Sequence, residues 1–121
     1  MSASHISDPS GKARDAVELI IHVCDTIADL TRMDIDDFVT DTRSQWAVEM
    51  GLIRIGEGVN RIPAAVLAEF DGQPWRQIVA MRNFAAHQYD DLEPRRVWRT
   101  ATVDVAELRS YLATVVLGAL S

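Results

Sequence analysis

The sequence holds one cysteine and three histidines in 121 residues, which excludes several classes of functional site. Cys24 has no second cysteine to pair with, so the chain can build neither a disulfide framework nor a thiolate metal cluster. It lies in an apolar helical pattern, and we expect it to be a small, buried hydrophobic side chain. His5, His22 and His87 do not form a metal-ligand set, so the sequence predicts no metal and no cofactor.

Long hydrophobic runs are also missing. No stretch approaches the roughly 20 apolar residues needed to cross a bilayer, and the first residues contain no apolar signal core. The sequence therefore predicts a cytoplasmic protein that does not act in a membrane.

Basic residues are in the minority, with 12 Lys and Arg against 18 Asp and Glu and a net charge of -6. A protein that coats nucleic acid electrostatically usually presents a basic face, so the overall charge argues against that class. The charge is uneven, however, because residues 74–100 contain five arginines and only three acidic residues. A functional positive patch and a solvated face with chance clustering both remain open for this region.

Apolar residues recur at helical spacing along most of the chain. This pattern predicts long helices over residues 12–31 and 36–61, a third beginning at Trp75, and a final helix capped by Thr102 or Asp104. No segment alternates convincingly as a strand. The sequence therefore predicts an all-α, up-and-down helical bundle.

The domain is predicted to cover residues 12–121 as a single unit. Residues 1–11 are polar and are interrupted by Pro9 and Gly11, which indicates a flexible N-terminal tail outside the fold. Gly56 and Gly58 fall within the second long helix, where each costs up to about 1 kcal/mol relative to alanine. We therefore expect a neighbouring helix to approach this segment closely.

The chemistry of the chain is concentrated between Met81 and Tyr89, where Arg82, His87 and Tyr89 occur within eight residues. A fixed cation, a group that titrates near neutrality and a phenol suit phosphodiester chemistry, which requires proton transfer and charge stabilisation. At about 100° per residue, Arg82 and Tyr89 share a helix face but His87 lies roughly 140° from Arg82. Either the helix unwinds near Gln88, or a second copy of the chain completes the site across a two-fold axis.

The pattern Arg82, four residues, His87, one residue, Tyr89 resembles the motif of the HepT-like HEPN proteins, the toxin members of a prokaryotic toxin–antitoxin system. Two flanking segments are similar to that family as well, one from Ile53 to Pro63 and one from Tyr89 to Trp98. The resemblance extends over about Lys12 to Leu120. Arg-x4-His alone is a weak pattern, but with the added tyrosine and both flanking segments it becomes fairly specific.

The resemblance implies a HEPN-type homodimeric helical bundle that acts as a metal-independent endoribonuclease. By position, Arg82 and His87 would be catalytic. In a supporting role, Asn83 could orient the phosphate or the histidine, and Tyr89 would bind substrate or position His87. It also implies a partner, a minimal nucleotidyltransferase antitoxin of the MntA type, which neutralises the toxin by adenylylating Tyr89. The substrate would be RNA, with tRNA among the candidates.

A second hypothesis remains open: a non-catalytic helical dimer that serves as a docking module for a nucleotidyltransferase. Taken singly, the motif residues have structural explanations, since an arginine can pair with an acid and a histidine can cap a helix. The three tryptophans, Trp46, Trp75 and Trp98, are predicted to pack in the core or at an interface rather than stack on bases. Trp98 lies close in sequence to Arg95, Arg96 and Arg99, which leaves room for an RNA contact.

Overall fold

A computed structural model describes residues 5–80 and 93–121 of the chain. The described residues form helices, together with one isolated bridge that pairs Ile6 with Leu120. The prediction of an all-α fold is confirmed.

The first half of the chain contributes two long helices and two short ones. The long helices are α1 (Lys12–Leu30) and α3 (Thr42–Arg61), and the short ones are α2 (Ile35–Phe38) and α4 (Ala64–Leu67). The next helix, α5, begins at Trp75 and is described as far as residue 80.

Residues 94–119 form one nearly continuous helical rod, called the C-terminal rod. It comprises α6 (Pro94–Arg99), a π-helical segment (Thr100–Asp104), α7 (Val105–Tyr111), a second π-helical segment (Leu112–Val116) and α8 (Leu117–Ala119). The predicted helix start at Thr102 or Asp104 is wrong. Asp104 has helical backbone angles (φ -67°, ψ -41°), so the chain passes through this position without a break.

The predicted second helix is divided at residues 39–41, which lie between α2 and α3. The Asp41 carboxylate accepts hydrogen bonds from the Ser44 backbone N–H (3.3 Å) and the Ser44 hydroxyl (2.8 Å), so it caps α3. The Gln45 side-chain amide donates to the Phe38 carbonyl (2.9 Å) and joins the two helices. Local hydrogen bonding therefore ends one helix and begins the next.

The core forms where α1 packs against α3 and the C-terminal rod. Four of the α1 side chains that recur at helical spacing are buried, namely Val17, Ile20, Cys24 and Ile27, whereas Ile21 is only partly buried and Ala28 is exposed. Opposite them lie Val48 and other buried residues of α3 and the rod. Burial of these side chains supplies most of the stability of such a bundle.

Glycines allow α1 and α3 to approach each other closely, as the sequence predicted for Gly58. A Cβ at position 58 would lie 2.6 Å from Ile20 Cγ1, and one at position 51 would lie 2.8 Å from Ile27 Cδ1. Gly56 is buried in the same helix. The cost of glycine inside α3 is thus offset by closer contact with α1.

Residues 6–11 take part in the fold, whereas the sequence predicted a tail over residues 1–11. The Ile6 N–H donates to the Ala119 carbonyl (2.7 Å), and the Asp8 N–H donates to the Ser121 carbonyl (3.0 Å). The Asp8 carboxylate then accepts from the Ala13 and Arg14 amides (3.0 and 2.9 Å) at the start of α1. Gly11 (φ 73°) forms the turn that makes this cap possible.

We predict that Gly58→Ala will destabilise the fold by about 1–3 kcal/mol, because the new methyl group would overlap the Ile20 side chain. Gly118→Ala is the matched control, since nothing lies within 4 Å of a Cβ at that helical position. It should be neutral or slightly stabilising. Urea denaturation of both variants would measure the difference. Equal stability of the two variants would contradict the close approach of α1 and α3.

Candidate functional site

The motif residues Arg82, Asn83, His87 and Tyr89 lie outside the described residues, but the structure describes the elements on either side of them. Helix α5 leads into the motif, and Glu93 and α6 follow it. These flanking elements define how the motif segment is held at its two ends.

The start of α5 is fixed by the Trp75 side chain. Its indole N–H donates to the Phe70 carbonyl (2.6 Å), which ties the first turn of α5 to the end of the preceding segment. The indole also packs against the Tyr111 ring, with centroids 6.1 Å apart. The start of α5 is therefore tied to the C-terminal rod.

The loop before α5 is held by the same tyrosine. The Tyr111 hydroxyl oxygen accepts a hydrogen bond from the Gly72 N–H (3.2 Å). A Cβ at position 72 would overlap the Tyr111 ring, so the ring can reach this backbone only because residue 72 is glycine. Tyr111 thus fixes both the loop and the helix that leads to the motif.

The chain leaves the motif at Glu93 and Pro94. Glu93 is extended (φ -81°, ψ 123°), as the position before a proline favours, and its carboxylate accepts from the Arg95 N–H (3.1 Å). Pro94 occupies the first turn of α6, where its missing N–H has no helical partner to lose. A new helix therefore begins at Pro94, directly after the extended Glu93.

An arginine-rich face lies on α6, opposite the buried Val97. Arg95, Arg96 and Arg99 are exposed, and at about 100° per residue they fall within one 100° arc of the helix. Arg95 lies 3.7 Å from the Asp36 carboxylate, an exposed pair that contributes little energy. The cluster that the sequence showed in residues 74–100 therefore includes one exposed cationic surface on α6.

Two of the three tryptophans pack against other side chains of the core, and the third is exposed. Trp98 is partly buried and packs against Phe38, with ring centroids 5.4 Å apart, and Trp75 packs against Tyr111. Trp46 is 65% exposed on α3, one turn from Met50, which is 50% exposed. The prediction of packing in the core or at an interface is confirmed for Trp75 and Trp98. Trp46 lies outside the core, so for this residue an interface stays a prediction.

A cavity of about 370 Å³ lies between α3, the α4–α5 loop, α5 and the C-terminal rod. Its apolar lining comes from side chains of α3, α5 and α7: Leu52, Ile55, Ile78, Val105 and Leu108. Its polar lining comes from Gln73, Gln77, Thr100, Asp104 and Glu107. The sequence assigned no binding role to these polar residues, because they come from separate segments and form no recognisable motif.

In the described residues, neither the Cys24 thiol nor the acidic side chains are placed to act as a nucleophile or to bind a metal ion. Burial raises the pKa of the Cys24 thiol to about 12, so it stays protonated at neutral pH and is a poor nucleophile. The Ser44 hydroxyl and amide hold the pKa of Asp41 below its usual range, and burial raises the pKa of Glu49. Within residues 5–80 and 93–121, no group of three or more His, Cys, Asp or Glu is placed to hold a metal ion.

Comparison with protein families gives a match over residues 20–115 to the family described as ribonuclease HepT-like. The chain belongs to the HepT-like ribonuclease family. The matched range includes α3, the motif segment and most of the C-terminal rod, so it covers every element that holds the ends of the motif.

Curated relatives agree with the HepT-like assignment. A protein of Thermococcus cleftensis named "Probable ribonuclease HepT" is 31% identical over 97 residues, covering 79% of this chain and 88% of the relative. A protein of Methanocaldococcus jannaschii named "Putative RNase MJ0125" is 28% identical over 98 residues, covering 80% of this chain and 84% of the relative. No solved structure matches the chain significantly.

The family resemblance that the motif and its flanks predicted is therefore confirmed, and so is membership of a ribonuclease family. The roles predicted for Arg82, Asn83, His87 and Tyr89 stay predictions, as these residues lie outside the described part of the chain. In the described part, no helix is long and apolar enough to span a membrane.

Proposed function

We propose that this HepT-like chain is a metal-independent endoribonuclease toxin of the cytoplasm, with Arg82 and His87 as its catalytic residues. Membership of the HepT-like ribonuclease family, over a range that contains the motif, is the observation that carries the proposal. The exposed arginines on α6 supply cationic side chains close to the motif in sequence, and these suit a polyanionic substrate.

The chemistry requires only groups that the motif contains. The 2′-hydroxyl of RNA attacks the adjacent phosphorus and loses its proton to a base, while the bond from phosphorus to the 5′-oxygen breaks and an acid protonates that oxygen. His87 can act as either base or acid. Arg82 stabilises the charge that develops on the phosphoryl oxygens, because its guanidinium stays cationic and offers paired hydrogen bonds.

We predict that His87→Ala lowers the rate of RNA cleavage by roughly 100- to 10,000-fold, the usual contribution of a general acid or base. His22→Ala is the matched control, because His22 is exposed on α1, away from the motif in sequence. Cleavage of total RNA and of purified tRNA would be followed by gel electrophoresis, with circular dichroism as a check on folding. Unchanged cleavage in His87→Ala would refute the catalytic role of His87. Unchanged toxicity in His87→Ala, with no cleavage of any RNA by the wild type, would favour the non-catalytic docking module instead.

We further propose that the active form is a homodimer in which two copies of the motif complete one another. The supporting argument is helical geometry: five positions separate Arg82 from His87, which places them roughly 140° apart on a regular helix. An isologous interface brings the same segment of both subunits together, so the arginine of one copy can meet the histidine of the other.

A complementation experiment distinguishes a shared site from a site within one subunit. Arg82→Ala and His87→Ala should each be inactive alone. If the residues act across the interface, a mixed dimer keeps one intact arginine–histidine pair out of two. Mixing the variants after partial unfolding should therefore restore activity, and each mixed dimer should reach up to about half the activity of a wild-type dimer. Sedimentation would confirm that mixed dimers form. Inactive mixed dimers would place each catalytic pair within a single subunit.

We propose that Tyr89 is the point of control, adenylylated by a minimal nucleotidyltransferase antitoxin of the MntA type. The phenol oxygen would attack the α-phosphate of ATP, release pyrophosphate and lose its proton. An adenylyl group beside Arg82 and His87 would add negative charge and bulk, which would repel and obstruct RNA. The proposal is supported by the position of Tyr89 in the family motif.

Intact mass measured with the antitoxin and Mg-ATP tests this control. We predict an increase in steps of one adenylyl group that maps to Tyr89 by peptide sequencing, together with loss of RNA cleavage. Tyr89→Phe should show no increase, whereas Tyr111→Phe should still gain the adenylyl group, because it keeps Tyr89 and removes the other tyrosine of the chain. Modification at another residue would refute the assignment.

A further inference from the structure

The cavity between α3, α5 and the C-terminal rod has the composition of a binding site for a small, flat ligand. Its volume of about 370 Å³ lies within the range of roughly 300–1,000 Å³ that ligand pockets commonly show. Four of its apolar lining residues are almost completely buried, namely Leu52, Ile55, Val105 and Leu108. The carboxylates of Asp104 and Glu107 are exposed, so they lie at the mouth above an apolar floor.

The walls of the cavity are held by specific contacts. Gly72 and Gln73 belong to the loop that Tyr111 fixes through its hydroxyl, so one polar wall has a defined position. The opposite wall contains Thr100 and Asp104, the two ends of the first π-helical segment. Such segments are uncommon and occur often at functional sites, because the wider turn changes where side chains point.

The lining chemistry disfavours a phosphate and favours a heteroaromatic base. The described lining residues include two carboxylates but no lysine or arginine, so this part of the lining would repel an anion. Gln73 and Gln77 offer both donors and acceptors, and the partly buried Ile78 offers apolar contact to a ring face. An organic cation would be attracted by the two carboxylates, but it would offer no acceptor for the N–H donors of the glutamine amides.

We propose that this cavity binds a guanine base of the RNA substrate. The carboxylates of Asp104 and Glu107 accept hydrogen bonds from its N1–H and exocyclic amino group. Guanine presents these two donors side by side on its Watson–Crick edge, whereas adenine and cytosine each present one exocyclic amino group there. Gln77 also lies on α5, five positions before Arg82, so the cavity and the motif are neighbours along the chain. The inference rests on the proposed action on RNA.

Binding of free nucleosides provides a test that does not depend on catalysis. Guanosine titrated into the full-length protein should shift the NMR amide signals of residues 72–78 and 100–108. Inosine, which is guanosine without the exocyclic amino group, should bind roughly tenfold or more weakly, as should adenosine and cytidine. Spermidine serves as the cationic probe. Equal binding of all nucleosides, binding of spermidine alone, or no guanosine shifts in these segments would overturn the inference.

Two variants show whether the carboxylates read the base. Asp104→Asn and Glu107→Gln should each weaken guanosine binding by roughly 10- to 100-fold, the loss expected for one hydrogen bond to a charged group. Both side chains are exposed, so the variants should fold normally. Asp37→Asn, an exposed aspartate on α2 outside the cavity, should leave binding unchanged. Wild-type affinity in both cavity variants would contradict the assignment.

Cleavage of short RNAs with one guanine, or with inosine in its place, separates this inference from the proposed function. Cleavage without preference for guanine would refute the cavity's role and leave the nuclease intact. Guanosine binding with no cleavage of any RNA would refute the proposed nuclease activity and leave the cavity as a base-binding site.

Discussion

The close packing of α1 against α3 is the constraint on which the rest of the bundle depends. At Gly58 and Gly51 the backbone of α3 meets the side chains of Ile20 and Ile27 on α1, and an added methyl group at either glycine would fall within 3 Å of them. The C-terminal rod then packs on the same inner face of α1. Because the core is closely packed, a small change in the distance between α1 and α3 would also shift the contacts that α1 makes with the C-terminal rod.

Tyr111 connects this framework to α5, the helix that precedes the motif segment. It lies on the C-terminal rod, yet it contacts Trp75 at the start of α5 and accepts a hydrogen bond from Gly72. The same loop forms one wall of the cavity beside α5. The position of α5 and the shape of the cavity are thus connected through one aromatic side chain, since both depend on where the α4–α5 loop lies.

The acidic character of the chain is compatible with a role on RNA once its distribution in space is considered. Arg95, Arg96 and Arg99 share one exposed face of α6, whereas Asp104 and Glu107 lie at the mouth of the cavity on the same rod. Arginines suit the phosphate backbone and carboxylates suit the donors of a base. The negative net charge therefore argues against non-specific electrostatic binding along nucleic acid, but it is compatible with binding of RNA at one site on the surface.

The sequence by itself determined the all-α class, the inward face of α1, the need for small residues at Gly58 and the family, because periodicity, glycine cost and motif spacing are local properties. It did not predict the division of the second helix at Asp41, the cap that Asp8 forms at the start of α1 or the continuity of the rod through Asp104. Those features depend on partners that are distant in sequence or on competing local hydrogen bonds. The cavity was decided by tertiary structure alone, because only packing brings Gln73, Gln77 and Asp104 to one surface.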